Sequence, residues 1–293
     1  KIMINFKRKL VTGGTMKKFL KGTGAAIGYF ALYFVINLLV IFTGGVYLGI
    51  KEGLKGIDGS GSLKSISRMI ELVYENTMLF NIISAVICLF VFWLIILLSK
   101  TSVKERLDLY PIPFTEVWPL LIFGITVNVF LSYFVSLLPL PDNWLHEYDK
   151  AINILGDKIT FVQIISVVVF APVLEEVLFR GLIMKSLQYG MPKIVAIFIQ
   201  ALLFGIMHGQ ILWICYSTIL GILLAVIKLK YNSLYACILV HLSFNSANYL
   251  LKLFYDRIDD NILIGIFLFA ASVVISVLLA VSIFRKKTKL PLS

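Results

Sequence analysis

Glu175, Glu176 and Arg180 stand inside one long apolar run, where residues 171–181 read APVLEEVLFRG. Two further apolar runs each hold a histidine, His208 and His241, and Asn245 follows His241 by four positions. A charge at bilayer depth costs about 3 kcal/mol on insertion scales and more in simulations, so it persists mainly where it is paired or used. Carboxylates, imidazoles and an amide are the groups a hydrolytic site needs. A carboxylate or imidazole can take a proton from water, and N–H donors can hold the oxyanion that water attack creates.

Spacing assigns first roles. A helix turns about 100° per residue, so adjacent Glu175 and Glu176 point in different directions. Glu176 and Arg180 are four apart with the glutamate N-terminal, the favourable order for an ion pair. Arg180 is expected to neutralise Glu176 and hold it. Glu175 is left without a local partner and is the candidate general base. The competing reading makes both glutamates and Arg180 one packing network between helices. Phe204 and His208 share a helix face at the same spacing, with Phe204 a packing residue able to fix the His208 ring. His241 and Asn245 form a third such pair. They can converge as two donors on one point, or Asn245 can simply bridge two helices. Ser243 and Asn248 are expected to make contacts between helices.

Other nucleophiles have weaker support. No Gly-x-Ser-x-Gly motif occurs, and Cys237, four before His241, lies in a purely apolar run. Glu175, His208 and His241 could instead ligate zinc with one open position, but His-Glu-x-x-His is absent and the three ligands come from different segments. The metal-free reading is preferred.

These residues need apolar elements to place them. Of the 293 residues, 59% are hydrophobic, against about 45–50% in soluble domains. The expected fold is all-α: a polytopic membrane bundle of about eight transmembrane helices, formed as a single domain over residues 1–293. The segments run Gly24–Ile50, Thr77–Ser99, Trp118–Leu140, Ile159–Lys185, Pro192–His208, Ile211–Ile227, Tyr231–Leu251 and Asn261–Phe284. The fifth and sixth are short, with only Gly209 and Gln210 between them. If the N-terminus is cytoplasmic and sides alternate, the cytoplasmic segments hold 18 basic and three acidic residues, and the opposite side eight basic and eleven acidic. The positive-inside rule therefore places both termini in the cytoplasm of a multi-pass cell-membrane protein. The net charge of +11 is mostly this topology signal and suits anionic lipid headgroups. The basic residues are dispersed and no recognition motif accompanies them, so nucleic acid is not an expected partner.

The basic segment Lys1–Lys21 has no apolar core and is not read as a signal peptide; a start at Met3 or Met16 is expected. Gly56–Lys64 reads as a polar loop, Ile66–Tyr74 as an amphipathic surface helix, and Pro139–Lys158 as an interfacial segment with a surface His146. Cys88, Cys215 and Cys237 are expected to be small buried apolar residues.

Glu-Glu-x-x-x-Arg, then Phe-x-x-x-His, then His-x-x-x-Asn, each about thirty residues apart within apolar spans, make the chain resemble the CAAX-protease and bacteriocin-processing (CPBP, or Abi) family of intramembrane endopeptidases. The resemblance covers residues 159–251, the fourth to seventh helices. It implies that Glu175 activates a water, that His208 helps hold it, and that His241 and Asn245 form the oxyanion hole. It also implies that Glu176 and Arg180 support the site. No cofactor is expected under this assignment, zinc being the alternative. The implied substrate is a hydrophobic or membrane-anchored peptide or a lipidated protein. Its identity, and the oligomeric state, are not readable from the sequence. A non-proteolytic membrane regulator or scaffold is the second reading. A proton-relaying transporter is the third, against which the ionisable residues fall in one half of the chain.

Overall fold

The computed structural model describes residues 13–53, 62–154, 159–252 and 262–286. The N-terminal lysines up to Lys9, residues 56–61 of the polar loop, Asp157, Asp256, Asp259, Asp260, Lys287 and Lys289 lie outside the described residues. The described residues are helical, with no strand among them. We number the helices α1 (Gly13–Gly53), α2 (Ser62–Glu75), α3 (Thr77–Leu98), α4 (Val103–Leu107), α5 (Phe114–Ser136), α6 (Asp142–Ile154), α7 (Phe161–Gln188), α8 (Lys193–Ile206), α9 (Ile211–Tyr231), α10 (Leu234–Lys252) and α11 (Ile262–Arg285).

Seven of these, α1, α3, α5, α7, α9, α10 and α11, are long and apolar enough to cross a membrane by length and composition. The fifth expected span is the exception. Its helix α8 has 14 residues, so it measures about 21 Å, short of the roughly 30 Å hydrocarbon layer. The sixth expected span is not short. α9 continues through Lys228 and Lys230 to Tyr231, because the Lys228 ammonium is buried against Asp108 instead of ending the helix in water. Cys88 and Cys237 are buried as expected, but Cys215 is exposed on α9. His146 is exposed on α6, and the same helix rests on α9 through Tyr148 and Trp213, whose ring centroids are 5.8 Å apart.

α7 runs through the centre of the bundle and touches α1, α3, α4, α8 and α10. Every residue from Glu176 to Ile183 is buried, as an apolar helix surrounded by others should be. Its N-terminus is fixed by reciprocal bonds: Thr160 Oγ1 accepts from the Gln163 amide at 3.1 Å, and Gln163 Oε1 accepts from the Thr160 amide at 3.4 Å.

One end of the bundle collects charge. Asp108 accepts from Lys185 of α7 at 2.6 Å and from Lys228 of α9 at 2.5 Å. Glu116, in the first turn of α5, accepts from Tyr231 of α9 and from Lys286 just past α11, each at 2.8 Å. Near the start of α1, Phe19 packs against Gly190 and Gly22 against the Ser186 carbonyl. The outer ends of the first and last helices therefore lie at the same end of the molecule.

The helix that carries His241 is held by a close crossing with α5. A Cβ at Gly124 would collide with Ser243 Oγ and the Val240 carbonyl oxygen. Nearby, Asn128 Nδ2 donates to Asn248 Oδ1 at 3.0 Å, so Asn248 does join two helices. Ser243 Oγ donates within its own helix, to Val240, and makes its interhelical contact by packing on Gly124. Gly124→Ala is expected to force α5 and α10 apart and to destabilise the fold by about 1–3 kcal/mol, the usual cost of overpacking. Denaturation in detergent micelles measures this; a change below about 0.5 kcal/mol would show that the crossing yields freely.

Candidate active site

The sequence of α7 explains the geometry around its glutamates. On either side of Ala171–Glu175 the backbone bonds widen from i→i+4 to i→i+5, over Ile165–Phe170 and Glu176–Ile183. The Ala171 amide donates to Ser166 and the Met184 amide to Phe179. Such turns are rare and concentrate at functional sites. Pro172 has no N–H to give. In the widened register its missing bond is the one to the Val167 carbonyl, and the Asn245 side-chain amide donates to that oxygen instead, at 2.8 Å. Asn245 thus does bridge α10 to α7, the second of its two expected roles. It spends one of its two N–H groups there and keeps the other.

The two glutamates differ as their spacing predicts. Glu176 is fully buried and accepts from Arg180 Nη1 at 2.7 Å and from His241 Nδ1 at 2.8 Å, both on Oε1. Cys237 lies beside the same carboxylate, while its thiol donates to the Leu234 carbonyl. Glu175 is 14% exposed, and its Oε2 is 3.6 Å from His241 Nε2. His241 therefore stands between the two carboxylates, with one nitrogen turned to each.

That arrangement constrains the chemistry of His241. A carboxylate paired with Arg180 can only accept, so the His241 proton sits on Nδ1. In the neutral ring Nε2 then carries a lone pair and can accept but not donate. The donor that a neutral His241 was expected to offer an oxyanion is the one Glu176 consumes. Only a doubly protonated ring would present Nε2 as a donor beside Glu175.

His208 lies just past the end of α8, in the turn closed by Gly209 at φ +79°. It keeps its alignment with Phe204: Nδ1 is 2.8 Å from the Phe204 carbonyl, and the rings are 4.9 Å apart edge to face. A carbonyl only accepts, so Nδ1 holds the proton and Nε2 is free to accept from water. Phe204 also meets His241, at 5.8 Å between centroids, and its ring lies under the Arg180 guanidinium at 4.4 Å. The phenyl ring is the common neighbour of both imidazoles and the arginine, a wider role than fixing His208 alone.

Glu175, Glu176, Arg180, Phe204 and His241 are thus brought together, His208 joins through Phe204, and Asn245 reaches α7 one turn away. For the alternative zinc set of Glu175, His208 and His241, among the described residues no group of three His, Cys, Asp or Glu side chains is found that could hold a metal ion. Three neighbours escape the sequence motifs. Tyr33 and Tyr216 lie within electrostatic reach of Glu175, and nothing in their local sequence marks them. Gln200 is fully buried and does carry a signal, since Gln200, Phe204 and His208 repeat at four-residue intervals.

Residues 157–247 match the family described as Rce1-like, type II CAAX prenyl endopeptidase. No curated protein and no solved structure matches the chain. The matched segment runs from the start of α7 into α10 and contains all three motifs, so the family read from those motifs, a family of CAAX-type membrane proteases, is the one this part of the chain matches.

Proposed function

We propose that the protein is an intramembrane endopeptidase that hydrolyses a hydrophobic, membrane-anchored or lipidated peptide with a water activated by Glu175. The observation that carries this is the pairing of a partly accessible carboxylate with His241 Nε2 at 3.6 Å, beside a second carboxylate whose Oε1 is held by both Arg180 and His241. Glu175 takes the proton of the water and returns it to the leaving amine. His208 Nε2 accepts a hydrogen bond from the water's other O–H and so orients it. His241, once protonated, and the unspent Asn245 N–H face the developing oxyanion; each such donor typically contributes about 3 kcal/mol to lowering the barrier.

The membrane placement is part of the same proposal. The charged end of the bundle faces the cytoplasm, and both termini lie there. α8 pairs antiparallel with α9, with Ala201 at Gly221 and Gly205 at Ile214 and Thr218, so its first residue is level with the lysines that end α9. A short α8 then ends part-way across the membrane and leaves His208 at that depth.

The reading is tested with purified protein in liposomes, offered membrane-anchored and prenylated peptides, with products identified by mass. Endoproteolytic cleavage is expected, insensitive to chelators, with metal content below one ion per chain. Cleavage lost to a chelator and restored by zinc would replace the metal-free mechanism. A bound partner left uncut would favour the scaffold reading.

A further inference from the structure

Three helices meet on one carbonyl oxygen. The Gly221 oxygen of α9 accepts from Gln200 Nε2 of α8 at 3.1 Å and from Arg180 Nη2 of α7 at 3.2 Å. Gln200 Nε2 also donates to the Ile197 carbonyl of its own helix at 3.1 Å. Two carbonyls on the same nitrogen fix which way the amide faces. Gln200, Arg180 and Glu176 are all fully buried, so no water competes for these bonds.

Gly221 makes the meeting possible. A glycine in mid-helix is unfavourable unless something needs its missing side chain. Here a Cβ would stand 3.0 Å from Ala201 and 3.2 Å from the Phe204 ring. The small contact lets α8 and α9 approach closely. That closeness brings the Gly221 carbonyl within reach of both Gln200 and Arg180.

From that carbonyl a single chain of contacts leads to the candidate base. Arg180 binds the Gly221 oxygen with one terminal nitrogen and Glu176 with the other. Glu176 holds His241 Nδ1, and His241 Nε2 faces Glu175. Phe204, one turn after Gln200, supports the guanidinium from below. Among the described residues Arg180 Nε and Gln200 Oε1 have no hydrogen-bond partner, so the guanidinium is oriented by its two end nitrogens and the ring.

We infer that Gln200 is a positioning residue for the reaction: through the shared Gly221 carbonyl it fixes Arg180, and through Arg180 and Glu176 it fixes the His241 ring against Glu175. The inference rests on the proposed role of Glu175. It adds that α9, which carries no motif, supplies the fixed point of the site.

The test replaces Gln200 by Met, which keeps the length and loses the donor. Gln200→Asn is a second variant that keeps an amide able to serve Ile197 but too short for Gly221. Each is expected to lower kcat about 10- to 100-fold, the scale of a misplacement near 1 Å, with KM and melting temperature close to wild type. In protein labelled with 15N-histidine, the His241 ring resonances should shift while those of exposed His146 stay. Wild-type kcat and unshifted His241 resonances in a folded variant would overturn the inference. A fall in kcat that tracks the melting temperature, with His241 unmoved, would also overturn it by showing a structural role only. If the wild type cleaves nothing, the protease reading fails by itself, and the His241 resonances still decide whether Gln200 positions the ring.

Discussion

Glu175→Gln is expected to abolish cleavage of a membrane-anchored peptide, lowering turnover by two to four orders of magnitude, the usual contribution of a positioned general base. The substitution keeps the side chain's size. It loses no hydrogen bond found in the structure, since the nearest partner, His241 Nε2, is 3.6 Å away. The variant should therefore fold and melt as the wild type does. Glutamine can still donate to His241 and occupy the same place, so substrate binding should persist while chemistry stops. Single-turnover assays in liposomes separate the two, because binding is read before cleavage. Turnover unchanged within a factor of two would remove Glu175 from the mechanism. Loss of binding together with turnover would make the residue a binding group. Glu176→Gln supplies the contrast. It would leave Arg180 buried beside a neutral amide, and its first effect should be on folding.

The site is legible in the sequence where its parts lie on one helix. Glu176 and Arg180 pair as a four-residue spacing requires, and Phe204 stays beside His208 although the helix ends before the histidine. Contacts between helices are not legible, because hydropathy sets which faces are apolar and not how the rods are turned about their axes. Spacing alone makes His241 a donor to the reaction, but its Nδ1 faces Glu176, a fact only the packing of α10 on α7 can supply. Asn245 finds the Val167 carbonyl because Pro172 cannot serve it, which needs both the proline and the widened turns. The length of α9 escapes the sequence for a similar reason. Lys228 reads as a loop cation, yet it is buried because Asp108 comes from 120 residues away to meet it.

Asp108 is the second place where one substitution should have a large effect. In the sequence it is only one acidic residue of a loop between two apolar segments; in the structure it is the shared counter-ion of Lys185 and Lys228. Lys228 is almost fully buried, its side chain 3% exposed, while that of Lys185 is 22% exposed. Asp108→Asn keeps the volume and tolerates the left-handed backbone found there, φ +54°. The change therefore isolates the charge. It leaves a buried ammonium without a counter-ion, which typically costs about 3–5 kcal/mol. Most of that should come from Lys228, because water can still reach Lys185. A double-mutant cycle separates this from other causes. Adding Lys228→Met to the Asp108→Asn variant removes the orphaned charge and should recover most of the loss, since an apolar replacement for a buried pair is often neutral. The Asp108 carbonyl also accepts from the Leu234 amide at 2.9 Å, so the first turn of α10 is docked on the same residue as the end of α7. These two helices carry His241 and Glu175. Asp108→Asn should therefore lower kcat as well as stability, and the double mutant should restore stability more fully than rate. Unfolding within about 0.5 kcal/mol of wild type would show that Lys228 finds water or another partner when Asp108 is neutralised, and that the register of α7 and α10 does not depend on the Asp108 charge.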